Sequence, residues 1–102
     1  MSANRVRGEA SLTVGGETLV LRPSFAALVA AEQELGPLFA LVERAADGQL
    51  RIAEVAALFD HCSTGRAAGI DRARIGEAIV EGGLAETTPA LRTLLGQILQ
   101  GR

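Results

Sequence analysis

Cysteine and histidine are nearly missing from this chain, and tyrosine, tryptophan and lysine are missing altogether. The single thiol, Cys62, cannot form a disulfide within the chain, and one Cys with one His leaves no second Cys or His to complete a tetrahedral zinc site. His61 and Cys62 are neighbours, and adjacent side chains on a helix point about 100° apart, which does not suit a nucleophile and its base. The sequence therefore predicts no metal, no cofactor and no enzymatic activity.

A strong charge of either sign is also absent, because 12 acidic residues nearly balance 10 basic ones and leave a net charge of −2. Such a chain has no overall attraction for phosphate backbones or anionic lipid. The longest apolar run inside the expected helices, residues 25–31, is far shorter than the ~20 residues that cross a bilayer. The first ten residues lack the apolar segment of a secretory signal. We expect a cytoplasmic protein that does not bind membranes.

Aliphatic residues supply the core in place of aromatic ones. The hydrophobic share is 48%, but the only aromatic side chains are three phenylalanines. A core built from Leu, Ile, Val and Ala favours closely packed helices, because Ala is the strongest helix former and lets helix axes approach. The length fits one domain with one core. We therefore predict a single, mostly helical α+β domain over residues 1–102.

An N-terminal β-hairpin is predicted at about residues 8–22. Apolar and polar residues alternate from Gly8 to Val14, and Gly15-Gly16 suits the positive φ angles of a tight turn. Residues 17–22 then form the second strand. A two-stranded hairpin needs a surface to cover its apolar face. Both strands are expected to be edges, so strand addition would also allow homo-oligomers.

Four to five short helices are expected to follow the hairpin. Ser24 is a good N-cap for the first of them and Gly36 ends it. Asp71 can cap a later helix, and Thr88-Pro89 has the cap and first-position residues that begin a last one. Residues 63–69 are small, polar and glycine-containing, which indicates a loop. The predicted helices cover residues 24–35, 37–47, 51–63, 71–82 and 88–100.

The first helix carries a carboxylate on its apolar face. Phe25, Leu28, Val29 and Leu35 share one face, and Glu32 lies seven positions from Phe25 on the same stripe. One interpretation is a carboxylate at the edge of the stripe, held by an arginine or by water. The other is a specific contact between subunits.

The last helix is the candidate partner-binding surface. Its apolar stripe is wide, while the opposite face carries little charge, so it packs either onto its own domain or onto a partner. Core packing is the simpler interpretation, and a contact with a partner helix is the alternative. The predicted partner-binding residues are Leu91, Leu94, Leu95, Ile98 and Leu99.

A DNA-binding alternative rests on residues 51–59, which resemble the first helix of a helix-turn-helix. Arg66, Arg72 and Arg74 follow it. A recognition helix must enter the major groove soon after a short turn. The connection at residues 63–69 is too short and glycine-rich to be that helix, so nucleic acid is an unlikely partner.

The opening third of the chain resembles a known family. Residues 7–9 (RGE), the strand pair, the sequence LRPSF at 21–25, a helix containing Glu32 and the closing pair Leu35-Gly36 are similar to the small tail proteins of gene transfer agents and related prophages. That family is described both as a tail tube protein and as a tail assembly chaperone. The resemblance implies partners among tail proteins and no catalytic residues.

The resemblance, together with the apolar stripe of the last helix, leads us to expect a tail assembly chaperone that binds the tape-measure protein and keeps it soluble. Tape-measure proteins are long and largely helical, and a small domain with a spare apolar helix could cover their apolar stripes. The alternative is a structural component that stays in the finished tail and uses its open strand edges to join neighbouring subunits.

Overall fold

A glycine pair forms the tight turn between the first two strands of the described chain. The structure, a computed structural model, describes residues 9–66 and 69–100. β1 (Ala10–Val14) pairs antiparallel with β2 (Glu17–Leu21). Gly15 and Gly16 have φ angles of 58° and 83°, which a tight hairpin turn requires and side-chain-bearing residues avoid. The hairpin predicted at residues 8–22 is confirmed, except that Gly8 lies outside the described residues.

A third strand follows much later in the chain, where a loop was expected. β3 (Ser63–Thr64) pairs antiparallel with β2, so the strand order is β1-β2-β3. The prediction of a loop over residues 63–69 is therefore wrong at its first two positions, while residues 67 and 68 lie outside the described residues. The prediction that both hairpin strands are edges is wrong for β2. No local sequence signal marks so short a strand. It forms because α3 (Ile52–Cys62) ends next to β2, so the residues that follow the helix can pair with that strand.

Four helices carry most of the described chain, so the fold is α+β and mostly helical, as predicted. The first begins after Ser24, whose hydroxyl accepts a hydrogen bond from the Ala27 N–H at 3.2 Å, and ends at Gly36 with φ 84°. These are the predicted caps. The helices are α1 (Phe25–Leu35), α2 (Leu38–Ala46), α3 (Ile52–Cys62) and α4 (Arg72–Gln100).

Two glutamates provide caps that the sequence analysis did not assign. Glu32 Oε2 accepts a hydrogen bond from the Leu38 N–H at 3.1 Å, so this carboxylate satisfies a free donor in the first turn of α2. Among residues 9–66 and 69–100 its hydrogen-bond donor is this backbone N–H and not an arginine. Glu54 accepts from the Arg51 N–H at 3.0 Å and receives both guanidinium nitrogens of Arg44 at 3.0 and 2.7 Å. Glu54 thus fixes the start of α3, whose cap was not evident from sequence.

A break at Gly83 divides α4 into two halves. The backbone there has φ 65° and ψ −165°, outside the helical region, so the predicted helix end near residue 82 is confirmed. The predicted start of the last helix at Thr88-Pro89 is wrong, because the second half continues through both residues and places Pro89 inside the helix. Gly83 supplies the break five residues earlier, and the helix tolerates a proline that removes one backbone donor.

The core lies between the inner face of the sheet, α3 and α4. Its largest fully buried side chains include Leu12, Leu21, Leu58, Phe59 and Leu94. The face of α1 turned toward this core is centred on Ala31, with Ala27, Leu28 and Leu35 partly buried beside it.

The predicted apolar stripe of α1 is wrong at two positions. Phe25 is 84% exposed and Val29 is 36% exposed. Since α1 is apolar around most of its first two turns, periodicity alone could not select the buried face. Among the described residues no single helix is long and apolar enough to span a membrane. The helices α1 and α2 have the required length and apolar composition only when they are taken together, and they are bent by 75° relative to each other.

Candidate binding groove

An open groove runs between the end of α2, the start of α3 and both halves of α4. Its volume is about 750 Å³. We call it the α4 groove. Apolar side chains make its base and rim, with Val55, Ile79, Leu91 and Leu95 at the base and Ile52, Val80 and Leu84 at the rim.

The break at Gly83 explains why both halves of α4 reach the same groove. Ile79 and Val80 come from the half before the break, and Leu84 and Leu91 come from the half after it. Because the helix is interrupted there, residues from both halves line one groove, so the site depends on a backbone conformation that glycine adopts readily.

The rim of the groove exposes large aliphatic side chains. Leu84 is 82% exposed, Val80 is 64% exposed and Ile52 is 57% exposed. A single exposed aliphatic residue is ordinary, but three around one concave surface form an apolar patch of the kind that partners cover. The groove is therefore a candidate binding surface.

The polar groups of the groove are few. Among the described residues, the charged side chains that line it are Arg51 and Arg92, and both are exposed cations. Thr87 is 6% exposed, and its hydroxyl has no hydrogen-bond partner among the described residues. A buried hydroxyl without a hydrogen-bond partner destabilises the folded protein, and such groups are uncommon in native structures.

The predicted partner-binding stripe is divided by the fold. Leu91 and Leu95 line the α4 groove, whereas Leu94 is completely buried in the core. Ile98 is partly buried against the core, and Leu99 is 59% exposed outside the groove lining. A wide stripe on one helix thus has one edge in the core and one edge in the groove. Leu94 is not accessible to a partner in this fold.

Sequence reasoning missed the rim. Val80 and Leu84 lie on opposite sides of the break at Gly83, so no helical spacing links them. The predicted helices end at residue 82 and begin again at residue 88, which leaves residues 83–87 in a connection. Ile52 is the first residue of α3. Only the packing of α3 against α4 brings these side chains to one rim.

A second cluster, of charged residues, ties the far ends of α1 and α3 to the start of α4. Arg72 donates to Glu34 Oε1 at 2.9 Å and to Asp60 Oδ2 at 3.0 Å. His61 Nε2 donates to Glu34 Oε1 at 2.8 Å, and Arg66 bonds Asp60. Two of the three arginines on which the DNA-binding alternative rested, Arg66 and Arg72, are therefore neutralised by carboxylates, which weakens their attraction for phosphate.

This cluster makes the stability of the domain sensitive to acid. The hydrogen bond from Arg72, and then that from His61, lowers the pKa of Glu34 from 4.5 to about 2. A depressed folded-state pKa stabilises the fold above the unfolded value, and the stabilisation is lost as the pH falls toward the folded value. We expect the melting temperature to fall between pH 5 and pH 2, and Glu34→Gln to flatten that fall, as measured by circular dichroism.

The control for this prediction is Glu43→Gln. Glu43 is an exposed helical glutamate with no side-chain hydrogen bond or ion pair to the residues that the structure describes. Its pH profile should follow that of the unmodified protein. Equal slopes for the Glu34 and Glu43 variants would contradict the role given to Glu34.

Cys62 is buried, and burial raises the pKa of its thiol to about 12. The thiol is therefore protonated at neutral pH and poorly suited to nucleophilic attack. Residues 9–66 and 69–100 hold no group of three or more His, Cys, Asp or Glu side chains placed to bind a metal ion.

Comparison with known proteins gives one match, to a protein family. The family model described as phage tail tube protein, GTA-gp10, matches residues 7–101. No curated protein and no solved structure matches the chain. The match covers both strands of the hairpin and the α4 groove, so the resemblance seen in the first third extends over nearly the whole sequence.

Proposed function

We propose that this chain, which belongs to the phage tail tube protein family, GTA-gp10, acts as a tail assembly chaperone. Its partner in this proposal is the tape-measure protein, which it keeps soluble in the cytoplasm until tail subunits assemble around it. The family assignment places the chain among phage tail proteins. The α4 groove is the observation that carries the finer proposal.

The groove suits a helical partner with an apolar stripe. Its base is aliphatic, its rim exposes further aliphatic side chains, and it is open along one side. An amphipathic helix binds such a surface by placing its apolar face into the groove. Burial of that face stabilises the complex and removes aggregation-prone surface from water. The few fixed polar contacts favour reversible binding, which a chaperone needs in order to release its partner.

A structural tail component is the second candidate, and the description of the family as a tail tube protein favours it. Ring formation by strand pairing needs an open strand on each side of the sheet. On one side β1 offers five residues, but on the other side β3 offers only two. So short an edge gives few hydrogen bonds to a neighbour. This asymmetry supports the chaperone over a ring closed through its sheet.

Co-expression with the tape-measure protein encoded nearby tests the proposal. The tape-measure protein alone should aggregate, whereas co-expression should yield a soluble complex by affinity pull-down and size exclusion. Mass spectrometry of purified particles should then lack this chain. Its recovery from particles in fixed proportion to tail proteins would instead establish the structural role.

A further inference from the structure

We propose that the α4 groove selects amphipathic helices whose apolar stripe is flanked by carboxylates. This selectivity rests on the proposed function and specifies its substrate: acidic, apolar helical segments rather than apolar helices in general.

Charge complementarity is the first argument. The chain has more acidic than basic residues, yet every charged side chain that lines the groove is an arginine. Arg51 lies at the start of α3 and Arg92 on the second half of α4. Neither guanidinium has a hydrogen bond or salt bridge to another described side chain. The hydrogen bond from Arg44 lowers the pKa of Glu54, and Arg51 lies close enough for its charge to contribute, but the Arg51 guanidinium forms no hydrogen bond with that carboxyl. Two exposed cations beside an apolar groove attract carboxylates and repel lysines at the edges of a bound helix.

Two other occupants fit these charges poorly. The first eight residues of the chain contain Arg5 and Arg7 and no acidic residue, so they would bring positive charge to a positive groove. A second copy bound groove to groove about a two-fold axis would bring arginines of one copy toward those of the other. An acidic partner helix is the occupant that the charge pattern favours.

Three labelled peptides test this selectivity. Each is the same Leu/Ala helix of about 18 residues, long enough to form a helix when bound, with Glu, Gln or Lys on both sides of the apolar stripe. Fluorescence anisotropy at low salt should give an affinity for the Glu peptide about fivefold to tenfold above that for the Lys peptide. The difference should shrink as salt is raised, because screening weakens exposed ion pairs. Equal affinities for the three peptides, or a preference for Lys, would overturn the proposal.

Arginine variants locate the source of the selectivity. The double variant Arg51→Gln/Arg92→Gln should bind the Glu and Lys peptides about equally and leave binding of the Gln peptide unchanged. Arg22→Gln is the control, because Arg22 is an exposed arginine that directly follows β2, pairs with Glu9 and lies outside the groove. Retained selectivity in the double variant would overturn the proposal.

These experiments distinguish the selectivity from the function on which it rests. If the charge pattern is irrelevant but the function is right, the double arginine variant still captures the tape-measure protein as well as the unmodified chain. If the function itself is wrong, no variant forms a soluble complex with that protein, whatever the peptides show.

Discussion

Glutamate at both Val80 and Leu84 is expected to abolish capture of the tape-measure protein while the domain stays folded. These side chains are 64% and 82% exposed, so their replacements remain hydrated in the free protein. The two positions lie on opposite sides of the break at Gly83, and repulsion between exposed charges is screened by salt. In a complex both carboxylates would be buried against an apolar helix, and loss of hydration costs several kcal/mol per ion. Affinity should fall by more than about a thousandfold.

The matched control replaces Phe25 and Phe39 with glutamate. These residues are 84% and 63% exposed and lie on α1 and α2, outside the groove lining. Circular dichroism melts establish folding for both double variants, and pull-down after co-expression measures capture. The control should capture the tape-measure protein normally. Equal losses in both variants, or normal capture by the groove variant, would rule out the groove as the binding surface.

Leu94→Asp is expected to prevent the domain from folding. Leu94 is 0% exposed and belongs to the core cluster shared by the sheet, α3 and α4. Truncating such a leucine to alanine costs about 2–5 kcal/mol. A buried carboxylate without a partner adds a further desolvation cost. The sum approaches the whole stability of a domain of this size, about 5–15 kcal/mol.

Leu99→Asp is the comparison for this prediction. Leu99 lies on the same predicted stripe but is 59% exposed, so its replacement should leave a cooperative thermal transition within a few degrees of the unmodified protein. Size exclusion and thermal melts distinguish the two variants. A folded Leu94→Asp protein would contradict the assignment of Leu94 to the core. Because the change is expected to unfold the domain, Leu94 is a poor position for testing partner binding.

Much of the fold could be predicted because its boundaries are marked by residues with strong local preferences. Gly15-Gly16 marks the hairpin turn, Ser24 caps α1 and Gly36 ends it. The break near residue 83 follows from a glycine pair in a helical pattern. In each case one or two residues carry the signal, and tertiary packing agrees with it.

The remaining features arise from packing between distant segments. β3 has two residues and forms only because α3 ends beside β2. Thr88-Pro89 carries a valid helix-start signal, but the break at Gly83 determines where the second half of α4 begins. On α1, apolar residues surround the helix, so the choice of Ala31 over Phe25 as the buried position depends on how closely α1 packs on the core.

Only part of the candidate site could be predicted from the sequence. The apolar stripe of the last helix identified Leu91 and Leu95, which line the groove. It could not show that Leu94 is inside the core, since all three share a face. Ile52 and Leu84 join the rim only because α3 packs against a kinked α4. Thr87 gave no sequence signal, because an unsatisfied hydroxyl is visible only once its surroundings are known.

Hydrogen–deuterium exchange of the co-purified complex with the tape-measure protein tests the central claim most directly. Compared with the free chain, the account predicts slower exchange at the start of α3 and along α4 on both sides of Gly83. It predicts no change at the exposed face of α1 or at the outer edge of β1. Slower exchange confined to β1, with the α4 groove unchanged, would contradict capture through the groove and favour assembly through the sheet.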